Sequence, residues 1–300
     1  MKFKITNPIV GGYYADPEAR FYNGEYWIYV TGSGVFKSQL NLSAFHSPDL
    51  MNWEWAGGII DMEGFPYVHQ AVWAPTIIEK NGLYYLIFAS NDIQNNNEVG
   101  GLEITVSESP AGPFKSLIGR SLVDHFINGA QPIDAHLFKD DDGKIYLLYG
   151  GWRHCNIAVM NDDMKGLGLL PNGKTFMEIT PEGYTEAPCM FKRNGKYYFQ
   201  WSTGIWTDNT YGVSYAIADS PVGPFTQIDG RILTEDGVVA KGPGHHGYLH
   251  IPEEDLWLMF YHRRPLNTDV PHERVLCIDE IRFDGDKILP VKMTHEWEYK

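Results

Sequence analysis

The sequence predicts an all-β protein, a five-bladed β-propeller in which residues 1–300 form a single domain. Three observations support this prediction. A hairpin pattern recurs five times along the chain, the intervals between its copies are short and similar, and no segment shows a sustained helical period. The chain is also rich in the aromatic residues that favour strands, with 18 Tyr, 15 Phe and 9 Trp. Repetition of one small sheet is therefore the expected organisation.

Each repeat begins with two strand-like runs around a tight turn. The first pair flanks Asn23-Gly24, a dipeptide typical of two-residue hairpin turns. A turn glycine recurs in the next three copies, and an acidic turn around Asp255 replaces it in the fifth, with roughly 50 to 60 residues between successive turns. The five copies are 15–32 (ADPEARFYNGEYWIYVTG), 72–90 (VWAPTIIEKNGLYYLIFAS), 133–151 (IDAHLFKDDDGKIYLLYGG), 185–204 (TEAPCMFKRNGKYYFQWSTG) and 244–262 (GHHGYLHIPEEDLWLMFYH).

A further strand is expected after each hairpin. Alternating runs such as LEITVSES and VSYAIADS lead into similar turns, namely HSPDLMNW (46–53), ESPAGPF (108–114) and DSPVGPF (219–225). A unit of about 60 residues is too small to bury a hydrophobic core by itself. Five such units packed around an axis are therefore favoured over a series of sandwich domains.

The composition limits the classes of partner. The net charge of −14 argues against nucleic acid and anionic membranes, which both attract basic surfaces, and suits a small neutral substrate. No apolar run approaches the roughly 20 residues of a transmembrane helix, and the N-terminal residues lack the apolar core of a signal peptide. The cysteines, Cys155, Cys189 and Cys277, are odd in number and widely spaced, which fits neither a disulfide framework nor a zinc site. A cytoplasmic protein is therefore expected.

Residues that are unusual in strands stand at matching places before the five turns. They are Asp16, Trp73-Ala74, Asp134, Glu186 and His245-His246. Because the first strand of each blade lines the central channel, these side chains should meet at one end of it. Clustered carboxylates raise one another's pKa, so one stays protonated while another is ionised, as glycoside hydrolysis requires. A single strand-end acid would more simply cap a turn, but three at matching positions favour catalysis.

These features together resemble glycoside hydrolase family 43. The likeness rests on the order of the ADP start, the SPDLMNW turn, VWAP, IDAHLFKDDDGKIYLLYGG, the EAP strand, the SPxGPF turns and GPGHH. It covers nearly the whole chain and implies an inverting glycosidase. By this resemblance Asp16 is expected to be the general base, Glu186 the general acid, and Asp134 the carboxylate that raises the pKa of the acid and orients it. Ala135 departs from the family pattern, which often has proline after this aspartate. An inverting pair should stand roughly 6.5–9.5 Å apart.

His245 is the candidate metal-binding residue. It ends the Gly-x-Gly-His run of KGPGHHG, where relatives in the family place a histidine near a hydrated calcium ion. A lone imidazole is an unusual ligand for a hard cation, so a Ca²⁺ here is expected to be held weakly and mainly through water. The alternative is a histidine that hydrogen-bonds the catalytic acids without a metal. The acidic run 140–142 lacks the later ligands of an EF-hand and is interpreted as a hairpin turn.

Five further residues are candidates for substrate binding. Trp73 is expected to stack beneath the sugar in the innermost subsite, and His69 could reach the same pocket from just upstream. Trp206, in the loop after the fourth hairpin, is expected to shape the outer pocket. Arg263 and Arg264 follow the fifth hairpin, and because strand side chains alternate, only one of them should face inward. The family likeness favours Arg264.

The functional hypothesis is an exo-acting, inverting glycosidase that releases pentose units from short xylo-oligosaccharides or arabinoxylan fragments. The expected activity is β-1,4-xylosidase, with α-L-arabinofuranosidase as a second activity. Two alternatives stay open: an arabinan-cleaving arabinanase with an open cleft, and a sugar-binding propeller without catalysis. A homo-oligomer, in which a neighbouring subunit closes the outer pocket, is a further expectation.

Overall fold

The computed structural model describes residues 2–32, 34 and 36–300, which form 23 β-strands and three 3₁₀ turns. The 3₁₀ turns are Phe36–Ser38, Met62–Gly64 and Pro252–Glu254. The strands are β1 (Phe3–Thr6), β2 (Tyr14–Tyr22), β3 (Glu25–Gly32), β4 (Leu42–Ser47), β5 (Glu54–Gly58), β6 (Trp73–Lys80), β7 (Leu83–Ser90), β8 (Gly101–Ser107), β9 (Lys115–Ser116), β10 (His136–Lys139), β11 (Ile145–Tyr149), β12 (Asn156–Val159), β13 (Met177–Glu178), β14 (Glu186–Arg193), β15 (Lys196–Thr203), β16 (Gly212–Ala218), β17 (Thr226–Gln227), β18 (Lys241–Ile251), β19 (Leu256–Arg264), β20 (Val275–Ile281), β21 (Phe283–Asp284), β22 (Lys287–Ile288) and β23 (Glu296–Tyr299).

Five antiparallel sheets follow one another along the described part of the chain. Four of them contain four strands each, β2–β5, β6–β9, β10–β13 and β14–β17, and the fifth contains β18–β20. In every sheet the strands lie side by side in chain order, so each sheet is a simple meander. The first strand of each sheet contacts the first strand of the next, and β18 contacts β2, which closes the ring. The predicted five-bladed propeller is confirmed.

The hairpin turns have the backbone geometry that their sequences predict. In Asn23-Gly24, Asn81-Gly82 and Asn194-Gly195 both residues have positive φ. This is the type I′ arrangement, whose twist matches that of the flanking strands. In the fifth blade the turn is the 3₁₀ segment Pro252–Glu254, and Asp255 ends it in a left-handed conformation with φ of 46°.

The two ends of the described chain meet on the fifth blade. Strand β1 pairs antiparallel with β23. The Asn7 side chain then donates to the Ile278 carbonyl at 3.0 Å and accepts from the Ile278 amide at 2.9 Å, and the Ile9 amide donates to the Leu276 carbonyl at 3.0 Å. The N-terminal segment therefore binds the outer edge of β20, in a blade with only three strands of its own.

Hydrophobic side chains fill the spaces between blades. Each of five buried clusters combines residues from two adjacent blades, as Ile28 of the first blade and Leu258 of the fifth illustrate. The other four clusters lie between the first and second, second and third, third and fourth, and fourth and fifth blades. A blade therefore obtains its core only from its neighbours, as its small size requires.

Two further expectations concern disulfide bonds and membrane-spanning helices. Cys155, Cys189 and Cys277 are buried and free, in agreement with the expected lack of a disulfide framework. None of the helices within the described residues is long and apolar enough to cross a membrane.

A buried polar network attaches the C-terminal segment to the fifth blade. Asp279, 1% exposed, accepts hydrogen bonds of 2.6 Å from the hydroxyls of Tyr261 and Thr294. Arg263 donates to the Tyr261 hydroxyl at 3.1 Å and to the Thr294 carbonyl at 2.9 Å. Every member of the network therefore depends on the Asp279 carboxyl group, directly or through one neighbour.

An Asp279→Ala substitution is expected to lower the free energy of unfolding by about 2–4 kcal/mol, because it leaves two buried hydroxyls without their acceptor. The urea midpoint, followed by tryptophan fluorescence, measures this loss. The matched control is Asp219→Ala, which removes an exposed partner of Lys196 and should leave the midpoint unchanged within error. Equal midpoints for the two variants would contradict a stabilising role for the network.

Candidate active site

A β-bulge near the inner end of the first strand shapes the site in four of the five blades, and in the third blade the corresponding residue directly precedes β10. The strand register shifts between Ala15 and Glu18 in β2, and corresponding shifts occur in β6, β14 and β18. One non-glycine residue with a left-handed φ stands at this place in every blade: Asp16 (53°), Ala74 (48°), Asp134 (55°), Ala187 (56°) and His245 (34°). The bulge re-aims the neighbouring side chains toward the axis.

The bulges correct the predicted alignment of the repeats. Asp16, Asp134 and His245 occupy the left-handed position itself. Glu186 lies one residue earlier, which is the position of Trp73 in the second blade. The prediction that Glu186 is equivalent to the two aspartates is therefore wrong by one residue, because counting back from the turns does not reveal where the extra residue of a bulge lies.

Side chains of the preceding blade hold the bulges in place. The Ala74 amide donates to Thr31 Oγ1 at 2.8 Å, and the His245 amide donates to Ser202 Oγ at 2.9 Å. Thr31 pairs with Ala15 and Ser202 pairs with Glu186 in their own blades, so the two acceptors occupy the same place in the repeat. A left-handed non-glycine residue costs on the order of 1–3 kcal/mol and persists when its surroundings fix it.

The strand ends surround a cavity of about 440 Å³, called the central cavity below. All three predicted catalytic carboxylates line it, as does His245. Its aromatic lining residues are Trp73, Trp152 and Trp206. Carboxylates combined with tryptophans in one concave site suit a ligand that has both hydroxyl groups and apolar faces, as a sugar does.

Asp16 is surrounded by positively charged or protonatable groups. Its Oδ1 lies 3.2 Å from His245 Nδ1, 3.3 Å from His262 Nδ1 and 3.3 Å from Arg274 Nη1. Burial by itself would raise the pKa of this carboxyl, but the two imidazoles and the guanidinium outweigh it and hold the pKa well below its ordinary value. Burial lowers the pKa of His262 to about 4, so Arg274 is the permanent cation beside Asp16 near neutral pH.

Glu186 and Asp134 are in the opposite situation. Burial, together with the charge of Asp16, raises the pKa of Glu186 to about 7, although a 2.8 Å hydrogen bond from the Tyr211 hydroxyl to Oε1 counteracts this rise. Burial, followed by the charges of Glu186 and Asp16, raises the pKa of Asp134 well above its ordinary value. Asp134 Oδ2 also accepts from the Ala187 amide at 3.1 Å, which ties it to the residue after Glu186.

Arg274 and Tyr211 are site residues that the sequence analysis missed. Arg274 lies in the loop just before β20, and its guanidinium stands over the Trp206 ring at 5.3 Å. Tyr211 lies directly before β16, and it is one of 18 tyrosines. Neither residue belongs to the repeated first-strand pattern, so no periodic signal singled them out.

The prediction that Arg263 or Arg264 binds substrate is wrong. Both side chains are buried, and neither is among the described residues that line the central cavity. Arg263 belongs to the Asp279 network, and Arg264 donates to the Asp208 carbonyl at 2.6 Å. Strand alternation predicted that one of the two side chains faces the cavity. This fails because both faces at this end of β19 are covered, one by the C-terminal segment and the other by the loop that contains Asp208.

Among the other predicted substrate-binding residues, Trp73 and Trp206 line the central cavity. His69 does not: its ring is exposed, its Nδ1 lies 3.2 Å from the Tyr67 carbonyl, and its backbone amide donates to Asn91. The expected contribution of His69 to the pocket is therefore wrong. Asn91 Oδ1 accepts from the backbone amides of both His69 and Gln70, which fixes the backbone of this segment.

The side chains around His245 do not form a direct metal site. Among the described residues, no group of three or more His, Cys, Asp or Glu side chains is arranged to hold a metal. His245 Nδ1 faces Asp16, and the nearby channel carboxylate of Glu18 is paired with Arg20. A Ca²⁺ needs six to eight oxygen ligands, which this donor set does not supply, so no catalytic step is assigned to an ion. A calcium ion held through water stays a prediction.

Comparison with known proteins agrees with this geometry. A β-D-galactofuranosidase, xynD, of Aspergillus niger is 39% identical over 98% of this chain and 86% of its own length. A β-xylosidase of Xylanibacter ruminicola is 28% identical over 95% of this chain and 98% of its own length. The crystal structure of a family-43 β-xylosidase/α-arabinofuranosidase from a compost metagenome, in complex with xylotriose and in a calcium-free form, superposes with a TM-score of 0.75 at 26% identity, covering 94% of this chain and 96% of that one.

The match to a family model extends over nearly all of the propeller. The model for glycosyl hydrolases family 43 aligns with residues 5–289, from β1 to beyond β22. The aligned region includes the first strands of all five blades and every carboxylate of the central cavity. This protein is a member of family 43 of the glycosyl hydrolases.

Proposed function

We propose that this glycosidase is an exo-acting, inverting enzyme that releases single pentose units from short oligosaccharides, with β-1,4-xylosidase as its main activity and α-L-arabinofuranosidase as a second one. The observation that carries the proposal is the contrast between two carboxylates in one cavity. Asp16 is held ionised, whereas the pKa of Glu186 is raised to about 7. Two carboxylic groups whose environments separate their pKa values can act as base and acid.

In the proposed reaction Asp16 accepts a proton from water as the water oxygen attacks the anomeric carbon. Glu186 gives its proton to the glycosidic oxygen as the bond from that oxygen to the anomeric carbon breaks. The products are a sugar of inverted anomeric configuration and an oligosaccharide one unit shorter, and the two carboxyl groups then exchange protons with solvent. General acid and base catalysis of this kind contributes about 10²–10⁴-fold each.

Asp134 acts on the acid in this scheme. Its hydrogen bond from the Ala187 amide fixes its carboxyl beside the acid's strand. The charge of Glu186 is, after burial, the largest cause that raises the pKa of Asp134, because two neighbouring negative charges in a buried site destabilise each other. In this scheme Asp134 is a positioning residue that acts through the backbone next to the acid.

Arg274 has two roles in the proposal. Its Nη1 keeps Asp16 ionised. Its side chain also lines the central cavity, where the guanidinium can donate to a sugar hydroxyl. The stacking of its guanidinium on Trp206 fixes the plane of these donors.

The sugar class rests on the relatives. The Xylanibacter relative is named a β-xylosidase and the compost structure a β-xylosidase/α-arabinofuranosidase, which supports a pentose. The Aspergillus relative, at higher identity, favours β-D-galactofuranose as the second candidate. The ring of this sugar has the hydroxyl arrangement of α-L-arabinofuranose with a longer exocyclic chain, so one cavity could accept both furanosides. Product analysis separates these exo activities from an arabinanase, because an exo enzyme releases only single sugars.

The first test is hydrolysis of three 4-nitrophenyl glycosides, the β-D-xylopyranoside, α-L-arabinofuranoside and β-D-galactofuranoside, and of xylobiose. Each is assayed with chelator and with added Ca²⁺. We expect turnover of the xyloside and the arabinofuranoside, and ¹H NMR should detect the inverted anomer first. Asp16→Asn should lower kcat on all substrates by about 10³-fold or more, whereas Glu186→Gln should affect xylobiose more than nitrophenyl substrates, whose leaving group needs little protonation.

The matched control for these variants is Glu182→Gln, an exposed carboxylate in the segment before β14, which should leave kcat unchanged. A retained anomer would contradict the inverting assignment. Binding of xylo-oligosaccharides without turnover of any substrate would instead support a sugar-binding propeller.

The pH dependence follows from the raised pKa of Glu186. Because the acid must be protonated, kcat should fall as pH rises through about 7. The Tyr211 hydroxyl stabilises the ionised form of Glu186, so Tyr211→Phe removes this stabilisation and should move the basic limb of the kcat profile to higher pH. An unchanged limb, or a shift to lower pH, would contradict Glu186 as the titrating acid.

Replacement of Arg274 tests the planar donors beside the base. Arg274→Lys keeps the positive charge next to Asp16 but lacks the planar set of donors, so kcat/KM should fall by about 10–100-fold. The control is Arg264→Lys, which should alter kcat/KM by less than about threefold. The assignment fails if Arg264→Lys gives the larger loss.

A further inference from the structure

Asp92 is an acidic residue of the central cavity to which the proposed reaction assigns no role. It is half-buried and lines the cavity together with Gln131. The buried Gln131 side chain donates from Nε2 to Asp92 Oδ1 at 3.0 Å and to the Ile93 carbonyl at 2.8 Å. This amide group therefore fixes the position of the Asp92 carboxyl in the wall of the cavity.

The loop that contains Asp92 is held from both sides. Asn91 and Asp92 directly follow β7, and both have left-handed φ values, 62° and 47°. The buried Asn91 side chain donates to the Tyr67 carbonyl at 3.0 Å and to the Val99 carbonyl at 2.8 Å. It also accepts from the His69 amide at 2.9 Å. Backbone in this sparsely populated region persists only where its neighbours fix it, and in a site it points to a functional constraint.

A buried acid anchors the same loop. Glu103 is fully buried on β8, and its carboxyl accepts hydrogen bonds from the hydroxyls of Ser90 at 2.8 Å, Tyr67 at 2.7 Å and Ser121 at 2.7 Å. Ser90 directly precedes Asn91, and Tyr67 supplies a carbonyl that Asn91 binds. One carboxyl therefore connects the segments on which the loop rests, and the loop is preorganised.

Asp92 lies next to the aromatic residue that is expected to stack with the innermost sugar. Trp73 pairs with Ala89 in the second blade, and Asp92 comes three residues after Ala89. The hydrogen bond from the Ala74 amide to Thr31 ties this strand end to the first blade, which contains the base. The acid belongs to the fourth blade. Asp92 is therefore placed beside the sugar that is released, on the blade next to that of the base.

We propose that Asp92 binds the exocyclic hydroxyl groups of a furanoside in the innermost subsite and thereby selects which sugar is released. The inference rests on the proposed function and deepens it at the same site. A carboxylate only accepts hydrogen bonds, and the donors of a neutral sugar are its hydroxyls. β-D-Galactofuranose has two exocyclic hydroxyls, α-L-arabinofuranose has one, and β-D-xylopyranose has none. Asp92 therefore distinguishes the three sugars by the number of hydrogen bonds that it can accept.

The position of Asp92 relative to the reacting groups selects the exocyclic chain. The anomeric carbon must face Asp16 and Glu186, where the bond is cleaved. Among the described contacts, Asp92 hydrogen-bonds neither of these carboxyl groups, and its own partner is Gln131. It therefore faces another edge of the sugar, and in a furanose the exocyclic chain extends from the ring away from the anomeric carbon.

The first test compares the 4-nitrophenyl glycosides of the three sugars, which share one leaving group. In Asp92→Ala the ratio of kcat/KM for the arabinofuranoside to kcat/KM for the xyloside should fall by about tenfold. The ratio of the galactofuranoside to the xyloside should fall by about 100-fold, because a hydrogen bond to a charged acceptor contributes roughly a factor of ten or more. Burial, the charge of Asp16 and then that of Asp92 raise the pKa of Glu186, but all three substrates share this acid, so the ratios cancel its effect.

A substrate that lacks a single hydroxyl sharpens the comparison. The 4-nitrophenyl 5-deoxy-α-L-arabinofuranoside has no exocyclic hydroxyl, so the wild-type protein should prefer the parent arabinofuranoside by about tenfold or more, and Asp92→Ala should show no preference. Asp92→Asn, which keeps one acceptor oxygen, should lose less of the preference. The matched control is Asp124→Ala, an exposed carboxylate that is not among the described residues lining the central cavity, and it should leave all ratios unchanged.

Calorimetry with the Glu186→Gln protein gives a readout that needs no turnover. It should bind methyl α-L-arabinofuranoside about tenfold more tightly than the 5-deoxy analogue, and the added Asp92→Ala substitution should remove this difference. Failure of the wild-type protein to hydrolyse any glycoside would contradict the proposed function, whereas calorimetry would still decide the role of Asp92. Unchanged substrate ratios in Asp92→Ala, or equal binding of the two methyl glycosides, would overturn the inference. A loss confined to xylobiose would overturn it as well, because Asp92 would then contact the leaving sugar.

Discussion

Dependence of each blade on its neighbours is the constraint from which the rest of this structure follows. None of the five sheets has a core of its own, and all five hydrophobic clusters lie between adjacent blades. The active site likewise depends on contacts between neighbouring blades. The bulge amides of Ala74 and His245 donate to side chains of the preceding blade, so the geometry of each inner strand end is fixed from outside its sheet. A buried carboxylate cluster can persist because five separate sheets hold it.

Charge is distributed unevenly within that cluster, and this asymmetry defines one carboxyl group as proton acceptor and another as proton donor. Asp16 faces an arginine and two imidazoles, whereas Glu186 receives one hydroxyl hydrogen bond and is otherwise buried near other acids. A ring of equal carboxylates would share protons without a defined donor and acceptor. The unequal partners define which group loses its proton and which keeps it.

The sequence was informative where the fold repeats and uninformative where it does not. The five hairpins predicted the architecture, and the strand-end acids predicted which side chains meet at the channel, because both depend on a periodic pattern. The one-residue offset of Glu186 was not predicted from the sequence, since a bulge changes the strand register without changing residue types. Arg274 and Trp152 were not predicted for a different reason. Both lie in connections between strands, where the loop conformation, and not a periodic pattern, determines the position of a side chain. Strand alternation predicted that either Arg263 or Arg264 faces inward, and the family likeness favoured Arg264, but alternation does not describe a strand end that is covered on both faces.

The pairing of the chain ends on the fifth blade also has a consequence for how the enzyme is made. Asp16 and Arg274 are 258 positions apart, and the Tyr14 amide next to this pair donates to the Arg274 carbonyl at 2.8 Å. During synthesis the base therefore exists long before its cation does, and the pocket can be completed only when the fifth blade closes against the first. Contacts this distant in sequence carry a high loop-closure entropy, which slows folding. Catalytic competence therefore requires a closed seam between the first and fifth blades.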